Sequence, residues 1–174
     1  MPCMSRVTSQ LADVLPQFRS AIADDPVWSR LVDQAVGLHL AILVEPYLTY
    51  ILEGRKTIES RFSKNQAPPF KRVQMGDVIL LKRSSGPVVG VAHVERADFL
   101  LLNEKTWPQI RNLSKQLCAD ASFWLARANK QYATLLYVGA VRPLPPFQIQ
   151  KTDRRAWVVL RESVQKEMEH PCLL

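Results

Sequence analysis

The stretch Glu53-Gly54-Arg55-Lys56-Thr57-Ile58-Glu59-Ser60-Arg61 decides how this chain is read. Upstream, Pro46 opens a helix that carries Tyr47, Leu48, Ile51 and Leu52, and Gly54 closes it. Proline just inside the start and glycine just past the end is the usual helix punctuation. Downstream, residues 57–62 alternate, so a strand there puts Thr57, Glu59 and Arg61 on one face and Ile58, Ser60 and Phe62 on the other. A helix, a glycine turn and a strand thus bring a lysine, a glutamate and an arginine together.

Before this unit, residues 38–44 form a short apolar run that reads as a buried strand. After it, Ala67-Pro68-Pro69 marks a loop and Gly76-Asp77 a turn into a strand over residues 78–82. Ser84-Ser85-Gly86-Pro87 is a hairpin-length connection to a strand over residues 88–95. Helical patterns follow at 104–117 and 121–130, the second capped by Asp120. A strand over 132–141 ends at Pro143, Pro145 and Pro146, and residues 156–160 make the last strand. Residues 163–169 read as a short helix or a frayed tail.

At the front, Val7, Leu11, Val14, Leu15, Phe18 and Ile22 stand at helical spacing. Asp25 caps a second helix that begins at Pro26, presents Trp28, Leu31, Val32, Ala35 and Val36, and ends at Gly37. Residues 1–37 therefore read as a helical extension packed on the main domain, with a protein-interaction arm as the alternative. The expected division is 1–37 extension, 38–162 domain and 163–174 tail. Short strands joined by hairpins suit an α+β fold, a small mixed sheet or barrel with helices to one side, and not a doubly wound sheet.

The 174 residues are 47% hydrophobic and 22% charged, which excludes a disordered or collagen-like chain. The net charge is +7, and residues 1–37 contribute −1, residues 38–100 +3 and residues 101–174 +5. Eight basic residues crowd into 55–83: Arg55, Lys56, Arg61, Lys64, Lys71, Arg72, Lys82 and Arg83. Lys151, Arg154 and Arg155 make a second cluster. Such a surface attracts an anionic partner, nucleic acid first.

Other chemistries lack their signatures. Cys3, Cys118 and Cys172 form no CxxC pair and no disulfide framework. His39, His93 and His170 have no metal-ligand spacing, and His39 and His93 sit in strand-like runs as structural or edge residues. No P-loop, GxGxxG or GxSxG occurs. With no secretory leader at Met1 and no membrane-length apolar run, the expectation is a cytoplasmic protein without a membrane role. No cofactor and no metal is expected.

Met75-Gly76-Asp77-Val78-Ile79 and Val88-Val89-Gly90-Val91-Ala92 follow the opening stretch. Together the three segments resemble the ASCH family, whose mark is G-x-K-x-x-E-x-R followed by G-D and a valine-rich strand. Gly54, Lys56, Glu59 and Arg61 match that mark one for one. The resemblance spans residues 38–162 and is thinnest between 97 and 130. It implies a PUA-like mixed β-barrel with flanking helices, a cleft beside the helix before the glycine turn, and a link to RNA. Some members resemble nucleases, and some small ones hydrolyse the acyl amide of acetylated cytidine. That hydrolase branch uses a lysine and a threonine three positions later. Here Glu59 holds the threonine's place and Thr57 adjoins Lys56, so the resemblance does not carry that mechanism over.

The residues themselves suggest a site for RNA or a nucleotide. Arg61 offers a planar fork for phosphate or a base edge, Lys56 a point charge, and Glu59 an acceptor or general base. The competing reading makes Glu59 and Arg61 an ion pair that closes the barrel. Tyr47 is the favoured stacking ring among Tyr47, Tyr50, Trp124, Tyr132 and Trp157, with Trp157 read as core. At 8% aromatic content an extended stacking platform is not expected, and a pocket for one or a few nucleotides fits better. The expected binding set is Tyr47, Lys56, Glu59, Arg61, Lys64, Lys71, Arg72, Lys82, Arg83, Arg154 and Arg155. If the chain is a nuclease or nucleoside amidohydrolase instead, Lys56 acts with Glu59 or Thr57.

Overall fold

The runs LHLAIL and VILLKR become β1 (Leu38–Leu43) and β3 (Val78–Arg83) in the computed structural model, which describes residues 3–34, 36–150 and 154–164. The two strands lie parallel and in register, from Leu38 opposite Val78 to Leu43 opposite Arg83. Both are covered on both faces, which their near-continuous apolar sequence requires. Around them run β2 (Ile58–Ser63), β4 (Val88–Leu101), β5 (Tyr132–Phe147) and β6 (Trp157–Arg161), in the order β2-β5-β4-β3-β1-β6. All pairings except β1–β3 are antiparallel.

The sheet curls until its two edges approach. Arg61 of edge strand β2 donates to the carbonyls of Ile42 in β1 and Ala156 just before β6, at 3.0 and 3.2 Å. The long β4–β5 ribbon permits the curl because its register shifts three times between Val88 and Arg96, each bulge adding local bend. The result is a mixed α+β half-barrel. Its interior holds Ala41, Leu43, Ile79, Leu81, Ala92, Val94, Leu136 and Trp157, closed by Leu48 and Ile51 of α3 (Tyr47–Leu52).

The outer face of β1, β3 and β6 is covered by α1 (Cys3–Ala21) and α2 (Pro26–Asp33). Val14, Phe18, Ile22, Trp28 and Val32 share one buried cluster with Leu38, Leu40, Val78, Leu80, Val158 and Leu160. Each such side chain stabilises by roughly 1.5–3 kcal/mol through burial. Polar ties reinforce the join: Arg161 donates to the carbonyls of Val32, Gln34 and Val36, and Arg142 pairs with Asp24 and Asp25. Leu11, Leu15, Leu31 and Val36 pack against the same cluster, so these described members of the apolar stripe face the chain's own sheet; Ala35 and the Val7 side chain lie outside the described residues.

Several expected boundaries move. β5 runs through the prolines to Phe147, because beyond Tyr137 only β4 pairs with it and a missing N–H on the open side breaks no bond. β4 continues past Glu95 to Leu101. The helical stretch 104–117 divides into α4 (Thr106–Arg111) and α5 (Ser114–Leu117), and α6 (Ala121–Leu125) stops well before Lys130. α2 ends at Asp33, so Gly37 is not its terminator. Gly37 instead lies against Asp77, where its N–H donates to the carboxylate at 2.9 Å. His39 is a buried structural residue, as expected: Nε2 meets Asp77 at 2.9 Å and Nδ1 accepts from the Trp157 indole at 3.3 Å. Lys151, His170, Cys172 and all of the suggested 163–169 helix except Ser163 and Val164 lie outside the described residues. No helix among the described residues is long and apolar enough to cross a membrane.

Candidate nucleic-acid interface

Gly54, at φ +74°, takes the left-handed turn that ends α3, and the N–H groups of Arg55 and Lys56 both return to the Tyr50 carbonyl. That fold-back drives the Lys56 side chain inward while Thr57 stays exposed. Lys56 is only 2% exposed; Nζ donates to the Leu117 carbonyl at 3.1 Å and stands 3.5 Å from Glu59 Oε2. Glu59 Oε1 lies 2.9 Å from Arg61 Nε. The three residues of the opening stretch therefore form one connected unit, with Tyr47 against the Lys56 ammonium at 5.5 Å.

This unit floors a cleft of about 790 Å³ in the seam between β2 and the β1–β6 edge. Tyr47, Phe62 and Phe123 supply ring surfaces. Seven basic side chains line it: Lys56, Arg61, Lys82, Arg127, Lys130, Arg154 and Arg155. Among the described residues, Glu59 is the one carboxylate of the lining.

Burial holds the Lys56 ammonium below its ordinary value, against the pull of Glu59. Burial likewise lowers the Arg127 guanidinium and raises the Tyr47 phenol, which stays neutral at physiological pH. The Arg127 guanidinium carbon stands over Phe123, 3.6 Å from its ring centre, and Nη1 donates to the Phe123 carbonyl.

Of the residues expected from sequence, Tyr47, Lys56, Glu59, Arg61, Lys82, Arg154 and Arg155 meet in the cleft. Lys64, Lys71, Arg72 and Arg83 do not line it. Arg72 pairs with Glu162, Arg83 pairs with Glu45, and Lys71 covers Phe70. Thr57 also falls outside: β2 begins at Ile58, so the alternation that grouped Thr57 with Glu59 does not reach it. Tyr50 lies under Arg55, Tyr132 packs on Phe70, and Trp157 is core as expected. Arg127, Lys130, Phe62 and Phe123 are the charged and aromatic lining residues that the sequence reading missed. Among the described residues, no group of three His, Cys, Asp or Glu side chains is placed to hold a metal ion.

No protein-family model matches the chain, and no curated protein does. Solved structures do. An ASCH protein of Zymomonas mobilis aligns over 71% of this chain and 87% of its own, with a TM-score of 0.54 and 15% identity. A serine-to-alanine variant of that protein gives 0.53 at 15% identity over 72% of this chain and 89% of that one. A tyrosine-to-phenylalanine variant gives 0.53 at 14% over 72% and 91%. At this identity the likeness is one of fold: the chain has the fold of the ASCH domain.

Proposed function

We propose that this chain, built on the fold of the ASCH domain, is an RNA-binding module that takes one or a few unpaired nucleotides into its basic cleft. The observation that carries the reading is the charge of the lining, seven cations against a single carboxylate among the described residues, and that carboxylate is already flanked by Lys56 and Arg61. A concave site with that excess favours a polyanion, and phosphate contacts supply most of the affinity in such interfaces. The volume of about 790 Å³ lies within the ordinary range for ligand sites, about 300–1,000 Å³. Tyr47 and Phe62, both half-buried in the wall, give bases a face to stack on, while Lys82, Lys130, Arg154 and Arg155 attract phosphates. Glu59 accepts hydrogen bonds from an exocyclic amine. Arg61 is bound to two backbone carbonyls and acts chiefly as the strut beneath the ligand.

The test is fluorescence anisotropy of a labelled single-stranded RNA hexamer with the wild type and with Lys130→Gln/Arg154→Gln. The expected result is binding by the wild type and several-fold weaker binding by the variant. Absence of binding at low salt, or equal binding by both, overturns the reading.

A second reading, a nuclease or nucleoside amidohydrolase, is favoured by one observation. A buried lysine with a lowered pKa stands beside a carboxylate in a cleft, a combination suited to proton transfer. Turnover of RNA or an acylated nucleoside that is lost in both Lys56→Ala and Glu59→Ala supports it. Turnover that survives both changes excludes this site as its source.

A further inference from the structure

Five aromatic rings form a connected cluster that reaches beyond the cleft, with Trp124 closing back on Phe123 at 4.9 Å. Tyr47 meets Phe123 edge-on at 5.9 Å, and Phe123 meets Phe62 at 5.9 Å. Phe62 stacks on Trp107 at 6.0 Å with the planes 9° apart, and Trp107 meets Trp124 edge-on at 6.4 Å. The first three rings line the cleft, whereas Trp107 and Trp124 lie beyond it on α4 and α6. Arginines accompany the rings: Arg127 lies over Phe123 and Phe62 at 3.6 and 5.6 Å, and Arg111 over Trp124 at 5.8 Å.

Packing accounts for part of this arrangement and leaves part over. Phe123 is buried, and Trp124 packs against the cluster of Ile58, Ile110, Leu117, Ala133 and Leu135. Trp107 is half-buried and stands outside that cluster, its ring laid on a residue of the cleft wall. Ile110 already anchors α4 in the core, so holding this helix does not call for an indole at 107. The electrostatics match an anion here. Residues 104–130 carry five basic and two acidic side chains. One of the two, Asp120, is committed to capping α6 through the Phe123 N–H and the Ser122 hydroxyl.

We propose that these rings extend the RNA site: a strand seated in the cleft leaves past Phe62, lays its next unpaired base on Trp107 beside Trp124, and sets its phosphates near Arg111 and Arg127. The inference rests on the RNA-binding reading of the cleft. Alternating rings and cations are what a sequence-tolerant single-strand track uses, because every base has a π-face and every nucleotide a charge. The low aromatic content pointed away from such a platform. It is built by clustering a few rings, and α4 and α6 bring together residues that stand far apart in the chain.

The experiment compares oligouridylates of two and eight nucleotides by anisotropy, with wild type, Trp107→Ala, Trp107→Phe and Arg111→Gln. The octamer is expected to bind the wild type more tightly than the dinucleotide. Trp107→Ala should weaken the octamer about tenfold, the scale of one stacked base, and leave the dinucleotide unchanged. Trp107→Phe should restore most of the loss, and Arg111→Gln, an exposed change, should weaken the octamer alone. An octamer no tighter than the dinucleotide overturns the platform and leaves the cleft standing, as does an equal loss for both lengths in Trp107→Ala. Failure of both lengths to bind the wild type overturns the cleft reading and the platform with it.

Discussion

The Arg61 guanidinium donates to the carbonyls of Ile42 and Ala156, meets Glu59 through Nε and covers the Trp157 ring at 5.3 Å. One side chain thus ties the β2 edge to the β1–β6 edge by a planar fork. Lysine at that position keeps the charge and loses the fork. Arg61→Lys should therefore lower the unfolding free energy by about 2 kcal/mol in urea titration, the scale of a charged hydrogen bond left unmade. A change within about 0.5 kcal/mol, ordinary for a surface site, contradicts the strut. Lys56 offers a second test through pH. Its folded-state pKa lies below the ordinary 10.5 because of burial. Between the two values the unfolded chain binds more protons, so stability rises with pH there. Relative to Lys56→Met, the wild type should gain stability as pH climbs toward 10.5, read by denaturant midpoints at each pH; a falling difference contradicts the buried ammonium. These residues were legible because an i, i+2 pair on a strand declares its shared face. Arg127 and Lys130 were not, since a helix read through 130 gives no reason for either to turn inward. The one available signal was that both follow Phe123-Trp124 closely.

Among elements, the turn before β3 organises the base of the sheet. The Asp77 carboxylate accepts from the N–H groups of Gly37 and Gln74, from His39 and from the Ser163 hydroxyl. A Cβ at position 37 would stand 2.6 Å from that carboxyl group. Gly37→Ala should destabilise by about 1–3 kcal/mol in thermal or urea unfolding, as overpacking does. A neutral result contradicts the close approach. Burial raises the Asp77 pKa, but the hydrogen bonds from His39, Ser163 and Gln74 prevail and hold it below 3.8. A carboxylate of lowered pKa stabilises above its unfolded value and loses that contribution as pH falls through its folded one. The stability gap between wild type and Asp77→Asn should accordingly narrow below pH 3.8, and a gap that is constant down to acid unfolding contradicts the network. The turn was visible as Gly76-Asp77, but what its carboxylate binds was not, because Gly37, His39 and Ser163 come from distant parts of the chain. The prolines of β5 misled for a related reason: whether proline ends a strand depends on whether its other edge is paired, which is a property of the sheet.

For the whole molecule, the charge of +7 proved to be a matter of place. Some of the expected cations lie away from the cleft, as Arg72 beside Glu162 and Arg83 beside Glu45. Others converge from β3, the α6 end and the segment before β6 upon one seam. The half-barrel class was readable from short strands, hairpin connections and the G-x-K-x-x-E-x-R segment. The convergence depends on the curl of the sheet, which no local pattern encodes. The central claim is that this convergence binds RNA by neutralising phosphates, and the salt dependence of affinity tests it most directly. With about four phosphates neutralised, log K for a single-stranded hexamer should fall linearly with log salt at a slope near −3. That is a loss of about 50-fold between 50 and 200 mM. Lys130→Gln/Arg154→Gln, which removes two of the cations, should make the slope shallower by about 1.4. A flat salt response, or no binding at the lowest salt, contradicts the account.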